Sequence, residues 1–126
     1  MSLLLDSGAL IALERNDRPM WRRLKATWLA DGVPVTHGGV VGQVWRGRGP
    51  QQARLAQALA GVDVRPLDDG LGRAAGVLLA RAGADDVIEA ALVLLARDGD
   101  EIATSDVDDL EPLAGHADRH VELVSV

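Results

Sequence analysis

Short unbroken apolar runs alternate along the chain with longer stretches in which apolar residues recur every three or four positions. Leu3 to Leu5 is the first short run. Asp6-Ser7-Gly8 ends it, which reads as a buried strand followed by a helix N-cap. Ala9 to Arg15 continues as a helix with Leu10, Ile11 and Leu13 apolar. Asn16-Asp17 starts a second helix with Pro19 in its first turn. Met20, Trp21, Leu24, Trp28 and Leu29 follow at helical spacing, and Gly32 stops it. Val33 to Thr36 reads as a strand broken by Gly38-Gly39. Val40, Val41, Val44 and Trp45 then fit one face of a short helix ending at Gly47. Pro50 opens another helix, closed by Gly61, and Val62 to Arg65 is a third strand.

Asp68 to Ala82 is predicted helical, with Gly83 as its stop. Asp85 is read as the cap of the next helix, whose run Val87, Ile88, Ala91, Leu92, Leu94 and Leu95 is apolar on several sides and therefore central. Glu101 to Ala103 is a fourth strand, Asp106 to Ala114 a last helix and Val121 to Val124 a last strand. No hairpin signal joins consecutive strands. The pattern predicts an α/β fold in three α/β/α layers around a mostly parallel sheet, as a single domain over residues 1–126.

Composition narrows the function. The chain is 48% apolar, which excludes disorder. It has no cysteine, so disulfides, thiolate metal sites and cysteine nucleophiles are excluded. The three leucines before Asp6 are too few for a signal peptide, and no apolar run approaches a membrane span. These features fit a cytoplasmic protein. Net charge is −6, which alone argues against nucleic-acid binding. The charges are segregated, however. Arg15, Arg18, Arg22, Arg23, Lys25, Arg46, Arg48 and Arg54 occupy the first half, while acids dominate the second. Such a division suits binding of phosphates and metal cations together, although solvated helix faces give the same pattern.

Sites in open parallel sheets form at the carboxyl ends of strands. Asp6 closes the first strand and Asp106 the fourth. Asp86 and Glu89 share one face at the start of the buried helix. If the first and fourth strands are neighbours, these four acids converge. Packed carboxylates repel unless a cation sits among them, and hard oxygen donors select magnesium or manganese. The implied chemistry is metal-dependent hydrolysis of a phosphate ester. Asp86 and Asp106 also read as ordinary helix caps and Glu89 as a solvent-facing charge. Asp6 is harder to dismiss, because a charge directly after a buried strand needs a partner.

Four segments resemble the motifs of PIN domains. Leu3-Leu4-Leu5-Asp6-Ser7-Gly8-Ala9-Leu10 is similar to the first, and Val40-Val41-Gly42-Gln43-Val44-Trp45 lies where the second stands. Asp86-Val87-Ile88-Glu89-Ala90-Ala91-Leu92 resembles the third and Thr104-Ser105-Asp106-Val107-Asp108-Asp109-Leu110 the last. Within that family the chain is most similar to VapC-like toxins of bacterial toxin–antitoxin pairs. The resemblance implies a Mg2+- or Mn2+-dependent endoribonuclease acting on single-stranded or structured RNA. It also implies a homodimer and a small antitoxin partner. By the same resemblance Asp6, Asp86 and Asp106 are catalytic, and these three with Glu89 hold the metal. Gln43, Ser7, Ser105 and Asp109 play secondary parts. Asp86 is preferred to Glu89 as third ligand. The carboxylates of Asp6, Asp86 and Asp106 should lie within about 4–8 Å of each other.

Gln43 departs from the pattern, since the second motif usually carries a glutamate. An amide offers an oxygen but no charge. This keeps open a degenerate PIN domain that binds protein or RNA without cutting. A receiver-type phosphorylation domain would need a late lysine, and the only lysine is Lys25. His37, His116 and His120 form no metal motif, and His37 reads as a satisfied histidine near a strand end. Trp21, Trp28 and Trp45 read as packing residues, with Trp21 and Trp28 expected at a two-fold interface or against a partner.

Overall fold

A computed structural model describes all residues, 1–126. Five strands form one parallel sheet: β1 (Leu3–Leu5), β2 (Val35–His37), β3 (Asp63–Arg65), β4 (Glu101–Thr104) and β5 (Glu122–Ser125). Their order is β3-β2-β1-β4-β5. The chain therefore builds outward from β1 in one direction, then returns across it to lay down β4 and β5. The reversal falls between β1 and β4, where adjacent connections leave in opposite directions and open a crevice at the strands' carboxyl ends. Register is fixed there by Leu3 opposite Glu101, Leu4 opposite Ile102 and Leu5 opposite Ala103.

Seven helices cover the two faces: α1 (Ser7–Glu14), α2 (Arg18–Leu29), α3 (Gly38–Val44), α4 (Pro50–Leu59), α5 (Asp69–Ala82), α6 (Val87–Leu95) and α7 (Val107–His116). β1 shows why three leucines in a row make a central strand. Leu4 points into the core beneath α5, α6 and α7, whereas Leu3 and Leu5 point into the core beneath α1 to α4. All three are buried. Full burial of each contributes about 1.5–3 kcal/mol. Helix α6 is apolar all round, as expected of a central helix, and buries Ala90, Ala91, Leu92 and Val93.

Several local expectations shift. Asp86, not Asp85, caps α6. Its side chain reaches the free N–H groups of the first turn, which Asp85, one residue further out, does not. Gly38-Gly39 begins α3 instead of merely breaking a strand, because β2 runs on to His37 and His37 caps the helix. Helix α3 ends at Val44, three residues before Gly47, and Trp45 is 41% exposed instead of facing inward. No helix is long and apolar enough to cross a membrane.

Candidate metal centre

Each acid owes its position to a different element. Asp6 leaves β1 directly into α1. Its backbone N–H donates to Ala103 O of β4 at 3.2 Å, tying it to the strand across the crevice. Its Oδ1 accepts from Ala9 N–H at 2.8 Å, capping α1, and its Oδ2 accepts from Ser105 N–H at 3.2 Å. Asp6 is buried, and burial pushes its carboxyl above the ordinary value, against the opposing pull of hydrogen bonds from Thr104, Ala9, Ser105 and Gly8.

Asp86 stands half-buried at the start of α6. Its Oδ1 accepts from Ile88 N–H at 3.0 Å and Glu89 N–H at 3.1 Å, while Oδ2 has no protein donor. The capping role and a role in the cleft are therefore compatible. Asp106 heads α7 by position, yet its side chain makes no capping bond and is exposed. Its backbone N–H donates to Thr104 Oγ1 at 2.8 Å. The carboxylate is thus held in place by the backbone and remains uncommitted.

These acids meet in one cleft of about 170 Å³, lined by Asp6, Asp86, Glu89 and Asp106 together with Ser7, Ser105 and Gln43. Larger hollows of about 580 and 600 Å³ lie elsewhere, but neither gathers carboxylates. The tightest group is Glu89, Asp106 and Asp109, each offering a carboxylate oxygen within 4.8 Å of the others. Asp109 sits one helical turn beyond Asp106, so α7 presents both. Glu89 registers the crowding. Its carboxyl is pushed up to about 7, first by burial and then by the charges of Asp86, Asp109, Asp106 and Asp6. The donors are all oxygens and the field is strongly negative, which fits a hard divalent cation and can hold one. Gln43 is exposed on α3 and adds no charge.

Three further residues support the cleft, and the roles of Gly8 and Thr104 carried no signal in the sequence. Gly8 lies so close to Ser105 that an added Cβ would stand 2.5 Å from Ser105 Cβ, so only glycine lets α1 approach the loop that binds Asp6. Thr104 bonds both Asp6 and the backbone of Asp106. His37 is fully buried, with Nδ1 accepting from Gly39 N–H at 3.1 Å; Nε2 therefore carries the proton and donates to Ile88 O at 2.9 Å. Burial lowers its tendency to protonate. It links β2 to the first turn of α6, which bears Glu89. His116 and His120 stand outside the cleft. Trp21 donates to Leu13 O and Trp28 to Gly61 O, both half-buried against the α1–α4 core.

No protein-family model matches the chain, and no curated protein sequence matches it. Among solved structures, it is similar to a chain in the crystal structure of VapBC2 from Rickettsia felis bound to a DNA fragment from their promoter. The superposition has a TM-score of 0.72 over 100% of this chain and 99% of that one, at 11% sequence identity. The shared architecture, with the five-stranded parallel sheet between two helical layers, is that of a PIN-like fold.

Proposed function

We propose that this protein is a metal-dependent endoribonuclease and the toxin of a VapBC-type toxin–antitoxin pair. The observation that carries the reading is the convergence of Asp6, the Asp86–Glu89 pair and Asp106, from three separate places in the sequence, on one cleft at the switch point of the sheet. Burial, and then the neighbouring carboxylates, lift Glu89 to about 7; both are costly to its charged form, and a divalent cation relieves that cost. Magnesium or manganese held there would polarise a phosphodiester and lower the pKa of an attacking water. Asp6 and Asp86, anchored by backbone donors, fix the position of the cluster. Asp106 and Asp109, exposed at the rim, leave it open to a polymer.

The structural neighbour supports a partner of the antitoxin kind, since it was solved as VapBC2. A homodimer through the faces around Trp21 and Trp28, and a cytoplasmic location, belong to the same reading. A single domain spanning residues 1–126 is part of it too. Gln43 favours a second reading, a PIN-like module that binds RNA or protein without cutting, because the cleft lacks the charge a glutamate would bring.

Labelled single-stranded RNA incubated with wild type and Asp6→Asn at millimolar Mn2+, with and without chelator, separates the two. Slow cleavage by wild type, lost with chelator and in the variant, supports the nuclease. Inert wild type that still binds RNA supports the module.

A further inference from the structure

A second hollow, of about 600 Å³, lies between α2 and α4 and has the opposite character. Arg18, Arg22 and Lys25 stand four and three residues apart, on one face of α2. Arg54 faces them from α4. All four are exposed, none makes a salt bridge, and no acid lines the hollow. In a chain of net charge −6 this is a local excess of positive charge, with Arg54 held in place by donating to Glu14 O at 3.0 Å. Trp21 forms the floor, its Nε1–H donating to Leu13 O at 3.0 Å and the Lys25 ammonium 5.8 Å from its ring centre.

A third hollow, of about 440 Å³ and lined by Gly8, Ile11, Ala12, Arg15, Asp17, Ser105 and Val126, lies against α1. Ser105 belongs also to the acidic cleft, and Asn16, between Arg15 and Asp17, lines the basic hollow. Asp17 is occupied in capping α2, accepting from Met20 N–H. Helix α1, 8 residues and about 12 Å long, begins at Ser7 of the cleft and leads to Asn16 of the basic hollow.

We propose that the basic hollow between α2 and α4 is a docking site for the phosphate backbone of single-stranded RNA, holding the strand that flanks the scissile phosphate. The proposal rests on the nuclease reading for its substrate. The lining favours a nucleic acid over a protein segment. Only Trp21 is apolar among the lining residues, which leaves a peptide no apolar anchor, whereas phosphates need cations and a base can use an aromatic face.

The test measures binding of a labelled 12-nucleotide oligouridylate by fluorescence anisotropy in chelator, across a series of KCl concentrations. The triple variant Arg18→Gln, Arg22→Gln, Lys25→Gln is compared with wild type and with a charge-matched control, Arg65→Gln, Arg73→Gln, Arg81→Gln. Thermal melts check that each is folded. The triple variant should bind at least about tenfold more weakly, and its slope of log K against log[KCl] should be shallower by about 2, three contacts at roughly 0.7 each. The control should keep the wild-type slope. Equal binding by the triple variant, or an equal loss in the control, overturns the proposal. So does unchanged RNA binding with lost binding of a poly-glutamate peptide, which assigns the hollow to an acidic protein segment. If wild type binds no oligonucleotide, the proposal and the RNA reading fall together. If the triple variant loses binding as expected but wild type cuts nothing with Mn2+, the docking site stands and the nuclease reading falls.

Discussion

The acidic cleft and the basic hollow differ in how they are made. The cleft draws Ser7 from α1, Val40 and Gln43 from α3, Ile88, Glu89 and Leu92 from α6, and Asp6, Asp86, Ser105 and Asp106 from the turns that lead into helices; Asp6 and Asp86 are locked by backbone donors before any ligand arrives. Those contacts tie its chemistry to the fold. The hollow owes three of its four cations to a single face of α2, and those three are solvated and bonded to nothing. A site assembled by tertiary structure holds charge that water alone would disperse, and so acquires a shifted titration. A site displayed on one helix keeps ordinary side chains and acts by number and spacing. Substitutions of the anchored residues Asp6 and Asp86 and of their supports should therefore disturb fold and function together, and substitutions in the hollow function alone.

Asp6→Asn gives the largest expected effect. The amide can still cap α1 through its oxygen, but its NH2 group meets Ser105 N–H, donor against donor. We expect RNA cleavage to fall on the order of 100-fold or more. Stability should fall by about 1–3 kcal/mol, read by denaturant unfolding. Retained stability with lost activity would separate the cleft from the fold and break the comparison. Gly8→Ala tests the same tie without touching a carboxylate. Its Cβ must displace Ser105, so unfolding should become easier by about 1–3 kcal/mol and activity should fall with it. The triple α2 variant should melt within about 0.5 kcal/mol of wild type.

A pH series sharpens the contrast. Glu89 has a folded value of about 7 against an ordinary 4.5. The folded state thus disfavours its charged form. The associated stability is fully present below pH 4.5 and is lost as pH rises through about 7. Glu89→Gln removes this dependence. The variant should therefore gain stability relative to wild type between those limits, by about 1–2 kcal/mol at pH 8 after allowance for solvent screening of a half-exposed group. Reading the difference between variant and wild type removes the opposite contribution of His37, whose lowered value makes its stability fall on acidification. A constant difference across the series would show that the crowding is absent. Metal affinity should fall in the same variant. Gln43→Glu is the smallest effect. It adds a charge at an exposed corner, and Mn2+ affinity should rise about fivefold, equivalent to about 1 kcal/mol.

The sequence exposed the sheet and the principal acids because both follow from local rules. Leu3 to Leu5 ending in Asp6 can only be a buried strand delivering a charge, and the apolar run from Val87 placed α6 at the centre with Glu89 in its first turn. Contacts between distant elements left no local trace. The approach of Gly8 to Ser105, the bond from His37 to Ile88 O and the place of Arg54 in the hollow lined by α2 all depend on how helices pack. Asp109 joined the tightest carboxylate group only because α7 begins at Val107 and turns its residue i+3 beside Asp106. Trp45, read from spacing as inward, is exposed because α3 ends one residue earlier.

The proposed chemistry depends first on a divalent cation in the acidic cleft. Isothermal calorimetry with Mn2+ on wild type and Asp106→Asn tests it most directly. Asp106 is exposed and bonds nothing through its side chain, so its replacement by the amide removes a negative charge from the cluster and leaves the fold alone. Wild type should bind saturably, and the variant about tenfold or more weakly, with melting of the metal-free proteins unchanged. Absence of binding by wild type at millimolar Mn2+, or equal binding by the two proteins, would contradict it.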